Sequence, residues 1–202
     1  MSTSPSTLLH ERLEAALYAA AMLTFEQLGF MFAISEQEVR AWDGDAPARD
    51  TADAPDVPEP PDATDSVEAV AGVPFWGPVS GRLEVVAAGG LLPALAANML
   101  GEDAPPSRET QRDALGEVAN VICGNALPAI AGAAAVFRLG PPQVIDGAPR
   151  ADAGRGGASK GAGWGAEAEA LEAAVHLTLD AGRASVRLFL AESGRRAEDA
   201  PP

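Results

Sequence analysis

Four residues of the segment DALGEVANVICGNA, residues 113–126, have types and spacing that could do chemistry: Asp113, Glu117, Asn120 and Gly124. On a helix turning about 100° per residue they fall within roughly 60° of one another and form a single stripe. Leu115, Val118, Ala119, Ile122 and Ala126 gather on the opposite side, the pattern of a core-facing surface. A carboxylate and an amide one turn apart therefore point outward from an anchored support. The carboxylate can pair with a cation, and the amide can donate and accept hydrogen bonds without titrating. Any amphipathic helix has a polar side, but two members of this stripe are poor choices for a merely solvated face. Gly124 costs about 1 kcal/mol relative to alanine inside a helix. On the outward side it has no packing role, yet it would let the backbone of a partner come close. Asn120 is also disfavoured in mid-helix, because its side chain competes for backbone hydrogen bonds.

Other candidate signals carry less. The glycine-rich GRGGASKG, residues 154–161, departs from a phosphate-binding loop: Ser159 precedes Lys160 where glycine is needed, and Gly161 follows it in place of Ser or Thr. His10, Cys123 and His176 lie far apart in sequence, with no paired-ligand spacing that a metal site would need. Cys123, inside the helix, reads as a small buried apolar side chain.

Composition narrows the partners. The 202 residues carry 29 acids against 14 bases, a formal charge of −15, and only one of the bases is a lysine. Such a surface repels nucleic acid and anionic membranes, so a protein or small-molecule partner is expected. One cysteine excludes an internal disulfide. The N-terminal residues lack a basic leader, and Glu11 and Glu14 interrupt any apolar signal core. No run of the ~18 apolar residues that a membrane helix needs stands out, and a cytoplasmic protein is expected.

The supporting elements follow from periodicity and punctuation. Ser4-Pro5 opens a long amphipathic helix over residues 5 to 28, ended by Gly29, with residues 30–34 leading into a short strand or an extended exit. Val67–Phe75 and Pro78–Ala88 read as strands, with Val79, Leu83 and Val85 on one face and Gly81 marking a bulge. Gly89-Gly90 breaks the second strand, a short helix runs from Leu91 to Gly101, and Ser107 caps the central helix. Pro128 should kink or stop that helix. Residues 139–147, LGPPQVIDG, read as extended, and Asp180-Ala181-Gly182 as the turn of a β-hairpin. The acidic, proline-rich residues 43–66 and the glycine-rich residues 148–166 read as flexible insertions, and 193–202 as a tail. Residues 1–192 then form a single α+β domain, a mainly antiparallel twisted sheet packed against long helices.

Glu117, Asn120 and Gly124 spell E-x-x-N-x-x-x-G, which resembles the signature of the CheC/CheX/FliY family of chemotaxis phosphatases. The order GPVSGRLEVV, LAANMLGED, signature helix, LGPPQVIDG is similar to the CheX branch. The resemblance implies a CheX-like fold and hydrolysis of the aspartyl phosphate on a CheY-like receiver domain of a response regulator. Asn120 would orient the attacking water, Glu117 would pair with a lysine of the receiver, and Asp113 and Gly124 would be partner contacts. It also implies a homodimer with no cofactor of its own, Mg²⁺ being carried by the receiver. The CheC branch repeats the motif on its first helix. Here that helix offers Glu14-Ala-Ala-Leu17 and Glu26-Gln-Leu-Gly29, neither with the asparagine, so one active site per chain is expected. A non-catalytic adaptor, binding a receiver or a flagellar-switch protein through the same helix face, is the alternative.

Overall fold

The computed structural model describes residues 5–34, 67–147 and 169–191. The two insertions at 43–66 and 148–166, the tail at 193–202 and the Ser4 cap lie outside them. The elements run α1 (Pro5–Gly29), β1 (Val67–Trp76), β2 (Gly81–Ala88), α2 (Leu91–Leu100), α3 (Arg108–Ala131), β3 (Arg138–Leu139), β4 (Gln143–Asp146), β5 (Glu169–Leu179) and β6 (Gly182–Ala191). They build an α+β fold. The sheet is ordered β3-β1-β2-β6-β5, with β4 also on the outer edge of β1, and every pairing is antiparallel.

Alternation decides which side of the sheet meets the helices. Ala71, Val73 and Phe75 of β1, Leu83 and Val85 of β2, Val175 and Leu177 of β5 and Val186 and Leu188 of β6 join one core. Leu13, Leu17, Ala21 and Phe25 of α1, Leu91, Leu92 and Leu95 of α2, and the apolar side of α3 complete it. The signature helix is thus packed on the sheet and against both other helices. By length and mean hydropathy α3 would just pass for a membrane-crossing helix, although it contains no unbroken apolar run of that length. Its many alanines raise its hydropathy, and its apolar side is the core of the domain.

Three glycines do other work than their sequence context suggested. Gly29 is the last residue of α1, but the left-handed turn falls on Phe30, at φ 49°. A Cβ at Gly29 would lie 2.9 Å from Leu95 Cδ1, so glycine is there to let α2 come close. Gly81 marks no bulge. A Cβ at Gly81 would sit 2.1 Å from the Phe189 carbonyl oxygen, which makes it a point of close backbone approach between β2 and β6. The register shift falls between Val67 and Ala69, at Glu68. Strand β2 begins at Gly81, so Pro78 and Val79 belong to the turn and Val79 is exposed. Gly182 opens β6, leaving Asp180-Ala181 as the two-residue hairpin turn.

Pro128 does not stop α3, which runs to Ala131 before Gly132 caps it through its N–H on the Pro128 carbonyl at 2.9 Å. A proline so near the C-terminus forfeits one backbone bond, and buried Ala126 and Leu127 hold the preceding turn in the core. The exit from α1 is extended as expected, with Ile34 N donating to Thr178 O at 2.9 Å and Asp180 N to Phe32 O at 3.1 Å.

Candidate functional site

Helix α3 is anchored before it is functional. Ser107 Oγ accepts from Thr110 N at 3.2 Å, satisfying one of the orphan donors of the first turn. Gln111, almost fully buried, donates through Nε2 to Pro106 O at 2.8 Å. Leu115, Val118, Ala119, Ile122 and Ala126 are each fully buried, as their spacing required. With the inward side fixed, the outward side has one orientation. Asp113, Glu117 and Gly124 are exposed and Asn120 is half-buried, so all four residues of the stripe lie on the surface side of one helix. Among the described residues no side-chain hydrogen bond or ion pair engages Asp113, Glu117 or Asn120.

The stripe has a neighbour that sequence reading missed. A Cβ at Gly116, four residues before Asn120, would lie 3.4 Å from Pro142 Cγ and 3.6 Å from Val144 Cγ2. A Cβ at Gly124, four residues after it, would lie 3.9 Å from Leu139 Cδ1. Residues 139–142 therefore run along the flank of α3 that carries Asn120. Gly124 itself remains exposed, and among the described residues nothing is close enough to forbid a side chain there.

This flanking segment is fixed at both ends. Gly140 N donates to Pro74 O at 2.8 Å, and a Cβ at Gly140 would lie 2.8 Å from Pro74 Cγ and 3.1 Å from the Trp76 ring. At the other end Asp146 accepts from two arginines of α3. Arg108 Nε donates to Oδ1 at 3.1 Å, Arg112 Nε to Oδ1 at 3.2 Å, and the Arg112 Nη2 closes on Oδ2. Partial desolvation raises the Asp146 pKa, but the Arg112 hydrogen bond and the charges of Arg108 and Arg112 outweigh it and hold the carboxyl below its ordinary value. Neither Arg108, Arg112 nor Asp146 stands out by sequence spacing, because the pairing joins residues 34 and 38 positions apart.

The other chemistry-bearing residues are dispersed. Cys123 is fully buried, and burial pushes its thiol pKa up to about 12, so it stays protonated at neutral pH. His176 is an exposed residue of β5 whose Nδ1 lies 2.7 Å from Ser185 Oγ across the hairpin. His10 sits on α1, 3.2 Å from Glu14 and 2.8 Å from the Glu172 carbonyl oxygen. Among the described residues no three His, Cys, Asp or Glu side chains converge as a metal site.

Residues 69–159, from β1 past the end of β4, match the family model of chemotaxis phosphatase CheX. None of the curated proteins matches the chain. Solved structures similar to it include a chemotaxis protein CheX from Desulfovibrio desulfuricans, with TM-score 0.57 and 19% identity over 88% of this chain and 98% of that one. CheX from Vibrio vulnificus gives TM-score 0.55 and 14% identity over 88% and 95% of the two chains. A CheC-like protein from a Shewanella species gives 0.54 and 14% over 90% and 98%. At these identities the structures speak for the fold, while the family model covers the signature helix itself. The chain therefore carries a CheX-family match over residues 69–159, set in a fold similar to that of CheX and CheC-like proteins.

Proposed function

We propose that this protein accelerates hydrolysis of the aspartyl phosphate on a CheY-like receiver domain, with Glu117 and Asn120 as its catalytic pair. One observation carries the reading: both side chains stand on the surface side of a fully anchored helix, uncommitted to any described residue. Phosphoryl transfer requires positioning and charge stabilisation more than a covalent partner. In the docked complex the Asn120 amide accepts from a water and aligns its oxygen with phosphorus. The water oxygen bonds to phosphorus as the bond to the receiver aspartate breaks, releasing inorganic phosphate and a free carboxylate. Glu117 fixes the register by pairing with a receiver lysine, and Asp113 and Gly124 lie in the contact. Mg²⁺ bound to the receiver offsets phosphoryl charge, so this chain contributes no metal ligand. The same reading takes the protein to be cytoplasmic and homodimeric.

The test is the decay of a phosphorylated receiver, screened across the receivers of the host, with and without the protein. Acceleration by the wild type that is lost in Asn120→Ala supports the assignment. Equal decay with Asn120→Ala removes Asn120 from its role. Binding that survives without any change in phosphate lifetime would make the chain an adaptor.

A further inference from the structure

Asn120 is flanked on its own side of the helix by Gly116 and Gly124, one turn before and one turn after. Pro142 lies over the first and Leu139 beside the second. The eight residue steps from 116 to 124 span about 12 Å of helix, and the three extended steps from 139 to 142 span about 10 Å. The lengths match, so Gly140 and Pro141 pass at the level of Asn120. The two glycines form a shallow groove and the segment lies in it as a ridge. A Cβ at Gly116 would already be in van der Waals contact with Pro142, whereas one at Gly124 would just reach Leu139.

The ridge is also stiff. Pro141 and Pro142 have fixed φ and no N–H to donate, Gly140 is tied to Pro74 at 2.8 Å, and Asp146 is clamped by Arg108 and Arg112. Both arginines belong to the first turns of α3, so ridge and signature helix are held by one ion-paired joint.

We infer that the Leu139–Pro142 ridge, seated between Gly116 and Gly124 and clamped through Asp146, is a positioning wall for Asn120. It restricts the amide to the rotamer in which a docked receiver meets it, and so acts on the chemical step instead of on receiver affinity. The inference rests on the phosphatase reading for its catalytic consequence, while its structural claim stands on the free protein.

Two measurements test it on the 202-residue chain. The first is ¹⁵N relaxation of the Asn120 side-chain amide in the free protein. The Pro141→Gly/Pro142→Gly double variant should show a clear loss of order at that amide. Asp146→Asn, an exposed change that leaves the core intact, should show a smaller loss in the same direction. The second is receiver dephosphorylation as a function of receiver concentration. In the double variant kcat should fall about 10- to 100-fold with KM held within about twofold. Unchanged amide order in both variants overturns the inference, and so does a loss confined to KM, which would make the ridge a contact surface. A wild type that leaves every receiver phosphate untouched overturns the phosphatase reading alone, because the order of the Asn120 amide still decides the ridge.

Discussion

Two long helices of similar length lie side by side in this fold, and only one of them displays the signature. In α3 the third residue after Glu117 is Asn120, half-buried on the surface side. In α1 the corresponding position after Glu14 is Leu17, fully buried in the core. The other candidate, three residues after Glu26, is Gly29, where a Cβ would press on Leu95. Thus α1 differs by more than a missing asparagine. Its rotation about its own axis points the required position into the protein, and one substitution cannot turn it outward. A surface site on a packed helix depends on which third of the helix the core leaves unused.

That contrast can be broken by trying to build the missing motif. Leu17→Asn places an amide where a fully buried leucine fills the core, and should destabilise by about 3–5 kcal/mol from the lost packing and the unsatisfied amide. Urea unfolding would measure it, and a stable variant with increased phosphatase activity would overturn the account of α1. Next in size is Asn120→Ala. Removing one transition-state hydrogen bond should lower the dephosphorylation rate about 10²–10³-fold, with unfolding free energy within about 0.5 kcal/mol of wild type.

Gly124→Ala separates stability from docking. The nearest side-chain atom to the new Cβ is at 3.9 Å, so the intramolecular contact is ordinary. Helix propensity should then stabilise the fold by about 1 kcal/mol, while receiver affinity falls because the partner loses its closest approach. A gain in both would assign Gly124 no part in recognition. The smallest effect concerns Asp146. Its folded pKa is depressed, so its contribution is present above the unfolded value of about 3.9 and is lost as pH falls through the folded value. With side chains 42–45% exposed the pairing is worth at most about 1 kcal/mol. Urea unfolding of wild type and Asp146→Asn should therefore differ slightly at pH 7 and converge as pH falls through the depressed Asp146 pKa.

Much of this was legible in the residues, and the boundary has a physical cause. Helix α3, its Ser107 cap, the buried Leu115 and Ile122, and the β5–β6 hairpin all follow from local periodicity and turn chemistry, which neighbouring residues determine. What escaped depends on contacts between distant segments. Gly81 looks like a bulge until the Phe189 carbonyl is brought beside it, and Gly116 passes for an ordinary core position until Pro142 lies over it. Pro128 reads locally as a kink or a stop, yet α3 runs on to Ala131, because the local rule for proline ignores the buried Ala126 and Leu127 that hold the turn before it. The signature residues were found by type and spacing. The ridge beside them was readable only as an extended passage, since nothing in LGPPQVIDG says which helix it will lie against.

Glu68 shows how far such long-range ties reach. At the irregularity in β1 its carboxylate accepts from Leu92 N at 3.1 Å, at the start of α2, where Gly90 offers no side-chain cap. Its carbonyl oxygen accepts from Arg108 at 2.6 Å and from Gly147 N at 3.0 Å. A ten-residue helix is too short to persist alone in water, so α2 relies on its buried leucines, and Glu68 adds a tie from a strand that precedes it by more than a dozen residues. A substitution at Glu68 would therefore be felt 24 residues away, in the first turn of α2.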